Sequence, residues 1–120
     1  MIKYLFLMTL FSLSQTGMEG VYTRRQQMCS VAYTSTKEWT LTLQKDSSFI
    51  YTIKEDSTLT RKRFNIERRG SWSVRQDTLQ LLSITGTDTV LFHIDGIQLE
   101  PFNKNEFSLS GFKLDFLRKK

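Results

Sequence analysis

One stretch constrains the fold more than any other. Leu41-Thr42-Leu43 alternates apolar and polar, Gln44-Lys45-Asp46-Ser47 is a four-residue polar turn, and Phe49-Ile50-Tyr51 resumes the alternation. Alternation of period two is the mark of a strand with one buried face, and an Asp-Ser turn between two such runs makes a hairpin. Gly70-Ser71-Trp72 downstream marks a third strand at a tightly packed place.

The grammar continues along the chain. Trp39, Leu41 and Leu43 share a face, as do Phe49, Tyr51 and Ile53. Phe64 with Ile66, Trp72 with Val74, and Leu79 with Leu81 extend the rows. Leu82 and Ile84 switch parity, which predicts a bulge that bends the strand. Val90, Phe92 and Ile94 form another inward row, then Ile97 with Leu99, and Phe107 with Leu109. Phe112, Leu114 and Phe116 are predicted to form the final strand. Gly20-Val21-Tyr22 opens the first, while Met28 to Ser35 reads as a strand or as an irregular lid. Asp46, Asp56, Asp77, Asp88 and Asp95 punctuate the rows at turn spacing, which points to an all-β sandwich or barrel. No stretch after the first residues carries a helical period. Successive hairpins give an antiparallel meander of about eight strands, and closing it removes the exposed edges. The strands read as short, five to seven residues, so a small or flattened barrel is expected.

The first residues read as a secretory signal. Lys3 supplies a positive charge, and Tyr4 to Leu13 is apolar but for Thr9 and Ser12. The run is too short to span a bilayer, which takes ~20 apolar residues. Ser12 and Ser14 fit a cleavage site that would leave Gln15 first. The expected organisation is therefore a signal peptide at 1–14 and one domain at 15–120, exported to the periplasm or secreted. The competing reading of the start is a buried strand or helix.

Cys29 is the only cysteine and His93 the only histidine, so no internal disulfide forms and zinc lacks its four ligands. A free cysteine is expected to be buried as a small hydrophobe. His93 falls on the outer face of its strand without a nucleophile beside it, and the aspartates sit in turns, so no catalytic residue, metal site or cofactor is assigned.

The chain carries a net charge of +5. Arg61-Lys62-Arg63, Arg68-Arg69 and Arg118-Lys119-Lys120 hold much of the positive charge. These clusters are either a surface for an anionic envelope partner or solvated strand edges, and edge protection is the simpler reading. Nucleic acid is not expected, because the aromatic residues keep core spacing and do not interleave with the basic ones.

Gly20-Val21-Tyr22 resembles the Gly-x-aromatic opening of lipocalin-like domains. The order Leu41-x-Leu43-x-x-Asp46-x-x-Phe49-x-Tyr51, Gly70-x-Trp72 and Asp77-Thr78-Leu79-x-Leu81 is similar to that of small exported lipocalin-like proteins of Bacteroidetes-type bacteria. It also resembles the N-terminal barrel of the copper-resistance and envelope-stress lipoproteins. The resemblance covers residues 20 to 117. It implies a calycin-type barrel, an exported location and a small apolar or amphipathic ligand, with no transmembrane segment in the mature chain. A lipidated cysteine and a Cys-x-x-Cys pair are missing, so metal and redox sensing are not carried over.

Two functions follow as expectations. In the first, a non-enzymatic binding barrel, the ligand is lined by Trp39, Leu41, Leu43, Phe49, Tyr51 and Trp72. Those side chains equally suit a filled core. In the second, an envelope accessory protein, a filled barrel works through Arg61, Lys62, Arg63, Arg68 and Arg69.

Overall fold

A computed structural model describes residues 17–58, 63–86, 88–103 and 114–120, with only the backbone of Phe64. The signal-peptide assignment, Arg61, Lys62 and the Phe107 and Leu109 row lie outside the described residues.

Among the described residues eight strands follow one another in sequence order: β1 Gly20–Cys29, β2 Thr34–Leu43, β3 Ser48–Ser57, β4 Arg63–Arg75, β5 Thr78–Ser83, β6 Thr89–Asp95, β7 Gln98–Pro101 and β8 Leu117–Lys119. Every neighbouring pair is antiparallel, and β8 returns to β1 to close the barrel. The expected all-β meander of about eight strands is what the chain forms. Closure runs through Tyr22 opposite Lys119 and Thr23 opposite Arg118. The amide of Lys120 donates to the Val21 carbonyl at 2.9 Å.

The barrel is lopsided. Strands β1 to β3 have 10 residues each and β4 has 13, whereas β5 to β8 have 6, 7, 4 and 3. The first four are thus longer than their apolar rows suggest, because polar residues continue the alternation past its apolar part. Ladder pairing of β4 with β5 begins at Gly70 opposite Ser83. The Arg69 carbonyl accepts from the Ile84 amide at 2.9 Å. Among the described residues no strand flanks Arg63–Arg68 on the side away from β3.

Tyr22, Trp39, Leu41, Leu43, Phe49, Tyr51, Trp72, Leu79, Leu81, Phe92, Leu99 and Leu117 meet in one core. The Gly70–Trp72 signal acquires a physical meaning here. A Cβ at Gly70 would lie 1.9 Å from the Leu82 carbonyl oxygen, so only glycine lets β4 and β5 approach this closely. The Trp72 indole N–H donates to the Gln44 carbonyl at 3.0 Å, and its amide donates to the Ser47 carbonyl at 2.8 Å. Trp72 therefore fastens the β2–β3 turn over one end of the barrel. In that turn the Asp46 carboxylate accepts from the Ser48 hydroxyl and amide, and both bonds hold its pKa below the ordinary value.

Several expectations are corrected. Of the two readings of Met28 to Ser35, the strand holds at both ends and the lid does not form: β1 runs to Cys29, β2 starts at Thr34, and the Ser30 amide donates to the Tyr33 carbonyl at 2.8 Å between them. The bulge at Leu82 does not form, because the β4–β5 register runs unbroken through Leu82. Leu82 faces outward and Ile84 stands in the following turn, 82% exposed. Ile97 sits in the β6–β7 turn and is exposed, leaving Leu99 alone to point inward. The last strand is Leu117–Lys119, and Leu114 is buried without belonging to a strand. Cys29 is exposed, since it is out of phase with inward-facing Tyr22 and ends the strand at the hairpin tip.

Candidate functional site

Register places the interior side chains of β1 to β4 in rows. Gly20, Leu43, Phe49 and Gly70 form the row nearest the β2–β3 turn, and Tyr22, Leu41, Tyr51 and Arg68 the next. Arg24, Trp39, Ile53 and Ile66 follow, and then Gln26, Lys37 and Glu55. The interior thus passes from apolar to charged as the long strands extend.

Lys37 and Glu55 stand directly opposite each other, 0% and 4% exposed. The Lys37 ammonium lies 4.9 Å from the centre of the Trp39 ring. Burial pulls the Lys37 pKa below its ordinary value, and the Glu55 carboxylate works against that pull. Two buried polar atoms nearby lack a hydrogen-bond partner among the described residues: the Trp39 Nε1 and the Glu55 Oε2. One is a donor and the other an acceptor. Such atoms are rare in folded proteins, and each calls for an explanation.

Arg24 guards one side of this region. Its Nε is 3.3 Å from the Asp115 carboxylate, and its guanidinium carbon lies 4.4 Å above the Phe116 ring. These contacts tie the long β1 to the segment that leads into β8. On the other side, Ile66 faces inward beside Ile53 yet is 37% exposed, because β5 stops short of it.

The six candidate lining residues, Trp39, Leu41, Leu43, Phe49, Tyr51 and Trp72, are brought together and all are buried. The void beside Phe49 and Tyr51 is about 10 Å³, room for about one water. Of the six, Trp39 is the one whose ring meets the charged row. The basic candidates divide. Arg63 and Arg69 point outward, whereas Arg68 takes the inward parity opposite Tyr51. Each has a carboxylate close by: Arg63 with Asp56 at 3.6 Å, Arg68 with Asp88 at 3.9 Å and Arg69 with Glu67 at 3.3 Å. An open groove of about 550 Å³ takes in Arg63, Arg25 and Lys54, but also Glu38, Glu55 and Asp56. His93 is 3.6 Å from Asp77 on the outside of the barrel.

The sequence reading passed over Lys37, Glu55 and Arg24. The signal was present: Lys37 continues the parity of Trp39, Leu41 and Leu43, and Glu55 that of Phe49, Tyr51 and Ile53. Charged residues in phase with an inward row are the pattern to look for.

Comparison with protein-family models, with curated proteins and with solved structures gives no match.

Proposed function

We propose that this chain is an exported, non-catalytic barrel protein of the lipocalin-like kind that holds a small amphipathic molecule. The carrying observation is that Lys37 and Glu55 are both buried in one interior row, with the unpartnered Trp39 N–H and Glu55 oxygen beside them. Buried charged side chains are expensive to desolvate, and each unsatisfied buried polar atom costs about 1–3 kcal/mol. A ligand whose polar group answers those atoms would offset that cost. Apolar Ile53 and partly exposed Ile66 adjoin the charged row and would receive its apolar part. Lys3 and the apolar Tyr4–Leu13 run support the export reading.

The alternative is an envelope accessory protein with a filled barrel. The tight burial of Leu41, Leu43, Phe49 and Trp72 favours it, and the acidic neighbours of Arg63, Arg68 and Arg69 weigh against a basic docking strip.

Thermal unfolding tests the choice. Protein purified from its own cells should lose several degrees of Tm after urea unfolding, solvent extraction and refolding, and regain them when the extract is returned. A ligand at a hundredfold excess over its Kd adds about 2.7 kcal/mol. An unchanged Tm through the whole cycle would favour the filled barrel.

A further inference from the structure

The outer face of the short strands carries a stripe of apolar side chains that neither the core nor the binding reading uses. Leu82 on β5 and Ile84 in the turn after it are exposed, and Phe102, just past β7, is 60% exposed. Register makes the stripe continuous. Gln80 pairs with Leu91 and Leu82 with Thr89, so outward Leu82 and half-buried Leu91 are diagonal neighbours on one face. The Phe102 amide donates to the Leu91 carbonyl at 3.0 Å, which sets Phe102 beside Leu91 on the neighbouring strand side. Single apolar side chains on a surface are ordinary, whereas a contiguous stripe marks a contact.

We propose that this face joins two copies of the chain, outer sheet against outer sheet, about a two-fold axis running along β5 and β6. The charges that flank the stripe select the partner. One outer row crosses four strands: Arg75 pairs with Thr78, Thr78 with His93, and His93 with Glu100. A cation thus stands at one end and a carboxylate at the other, about 14 Å apart along the sheet at the usual strand spacing. Both are exposed. Arg24, Arg63, Arg68 and Arg69 each have a carboxylate close by, and His93 in the middle of the row has Asp77. Arg75 and Glu100 have no ion-pair partner among the described residues.

A two-fold axis along the strands keeps each row at its level and exchanges its two ends. Arg75 of each copy then faces Glu100 of the other, and the apolar stripes meet between the two ion pairs. Phe102 comes to lie over Ser73 of the other copy, because Ser73, Gln80 and Leu91 share its level. The side chain there is small, and an open groove of about 550 Å³ lined by Ile50, Ser71, Leu82 and Ile84 adjoins it, with room for the ring. Sheets packed face to face keep their strands nearly aligned, as this axis requires. An apolar centre with a charged rim is the anatomy of a specific interface. A lipid surface would leave the matched levels of Arg75 and Glu100 without a use.

Analytical ultracentrifugation over a range of concentrations tests this on the protein recovered from its own cells, which should sediment at twice the chain mass. Arg75→Glu sets carboxylate against carboxylate at both ends of the row, and should raise the dimer Kd at least tenfold. Glu100→Arg sets cation against cation and should do the same. Both positions are exposed, so the far-ultraviolet spectrum should stay that of the parent. An equal mixture of the two variants is the sharpest sample. In a mixed dimer every introduced charge faces an opposite one, so the mixture should regain dimers containing one copy of each variant. Leu82→Asp should abolish the dimer with the spectrum unchanged. A monomer at every concentration would overturn the proposal, and one that also cosediments with phosphatidylglycerol vesicles would assign the stripe to lipid instead. A dimer that both charge variants leave unaltered, or a mixture no more associated than its components, would overturn it as well.

Discussion

Lys37 is a lysine with no exposed surface, and Glu55 stands directly across the ladder, where its charge favours the ammonium. Removing one partner of a buried pair strands the other charge, whereas replacing both with apolar groups is often neutral or stabilising. Lys37→Met should therefore lower unfolding free energy by about 3 kcal/mol in urea titration. Lys37→Met with Glu55→Leu should return to within about 1 kcal/mol of the parent or exceed it. The pair also sets a pH dependence. Burial lowers the folded-state Lys37 pKa, so between that value and the ordinary 10.5 the unfolded chain holds more protons, and stability rises with pH. Tyr22 pulls the other way, because burial raises its pKa above 10.0 and its hydroxyl donates to the Met18 carbonyl at 2.9 Å. Its contribution is complete below pH 10.0 and is lost as pH climbs through the raised value. The rise from Lys37 is thus read below pH 10.0, and the double variant should not show it.

At the scale of elements, Gly70 is where β4 and β5 come closest. Gly70→Ala would drive a methyl into the Leu82 carbonyl and the Phe49 ring. It should destabilise the barrel by about 3 kcal/mol or more in urea titration, since the obstacle is backbone and cannot rotate away. A far smaller loss would mean that the strands can separate here. Much of this was legible from local chemistry. The Asp46–Ser48 turn, the inward rows of β2, β3, β5 and β6, and the glycine-tryptophan pair all read directly, because each is a contact between near neighbours. What escaped reading depended on distant partners. Leu82 looks like a bulge only if its apolar side chain must be buried, yet the unbroken β4–β5 register turns it outward. Ile97 looks like a strand residue but falls in the turn that lets β7 pair with β6. Cys29 was expected inside on chemical type alone, and strand parity overrode type.

At the scale of the whole molecule, the described residues form four long strands and four short ones that close into one barrel whose interior is apolar at one end and charged at the other. The closure was legible from the meander, whereas the closing strand was not, because Leu117–Lys119 pairs with β1 in place of the apolar row that ends at Phe116. The charged end was not, because Lys37 and Glu55 draw notice only once β2 and β3 are aligned. That end is the basis of the proposed role, and native mass spectrometry of the protein recovered from its own cell envelope tests it most directly. The account predicts a discrete adduct that departs on collisional heating and leaves the bare chain mass. A bare chain in every preparation, with no mass lost on heating, would contradict it.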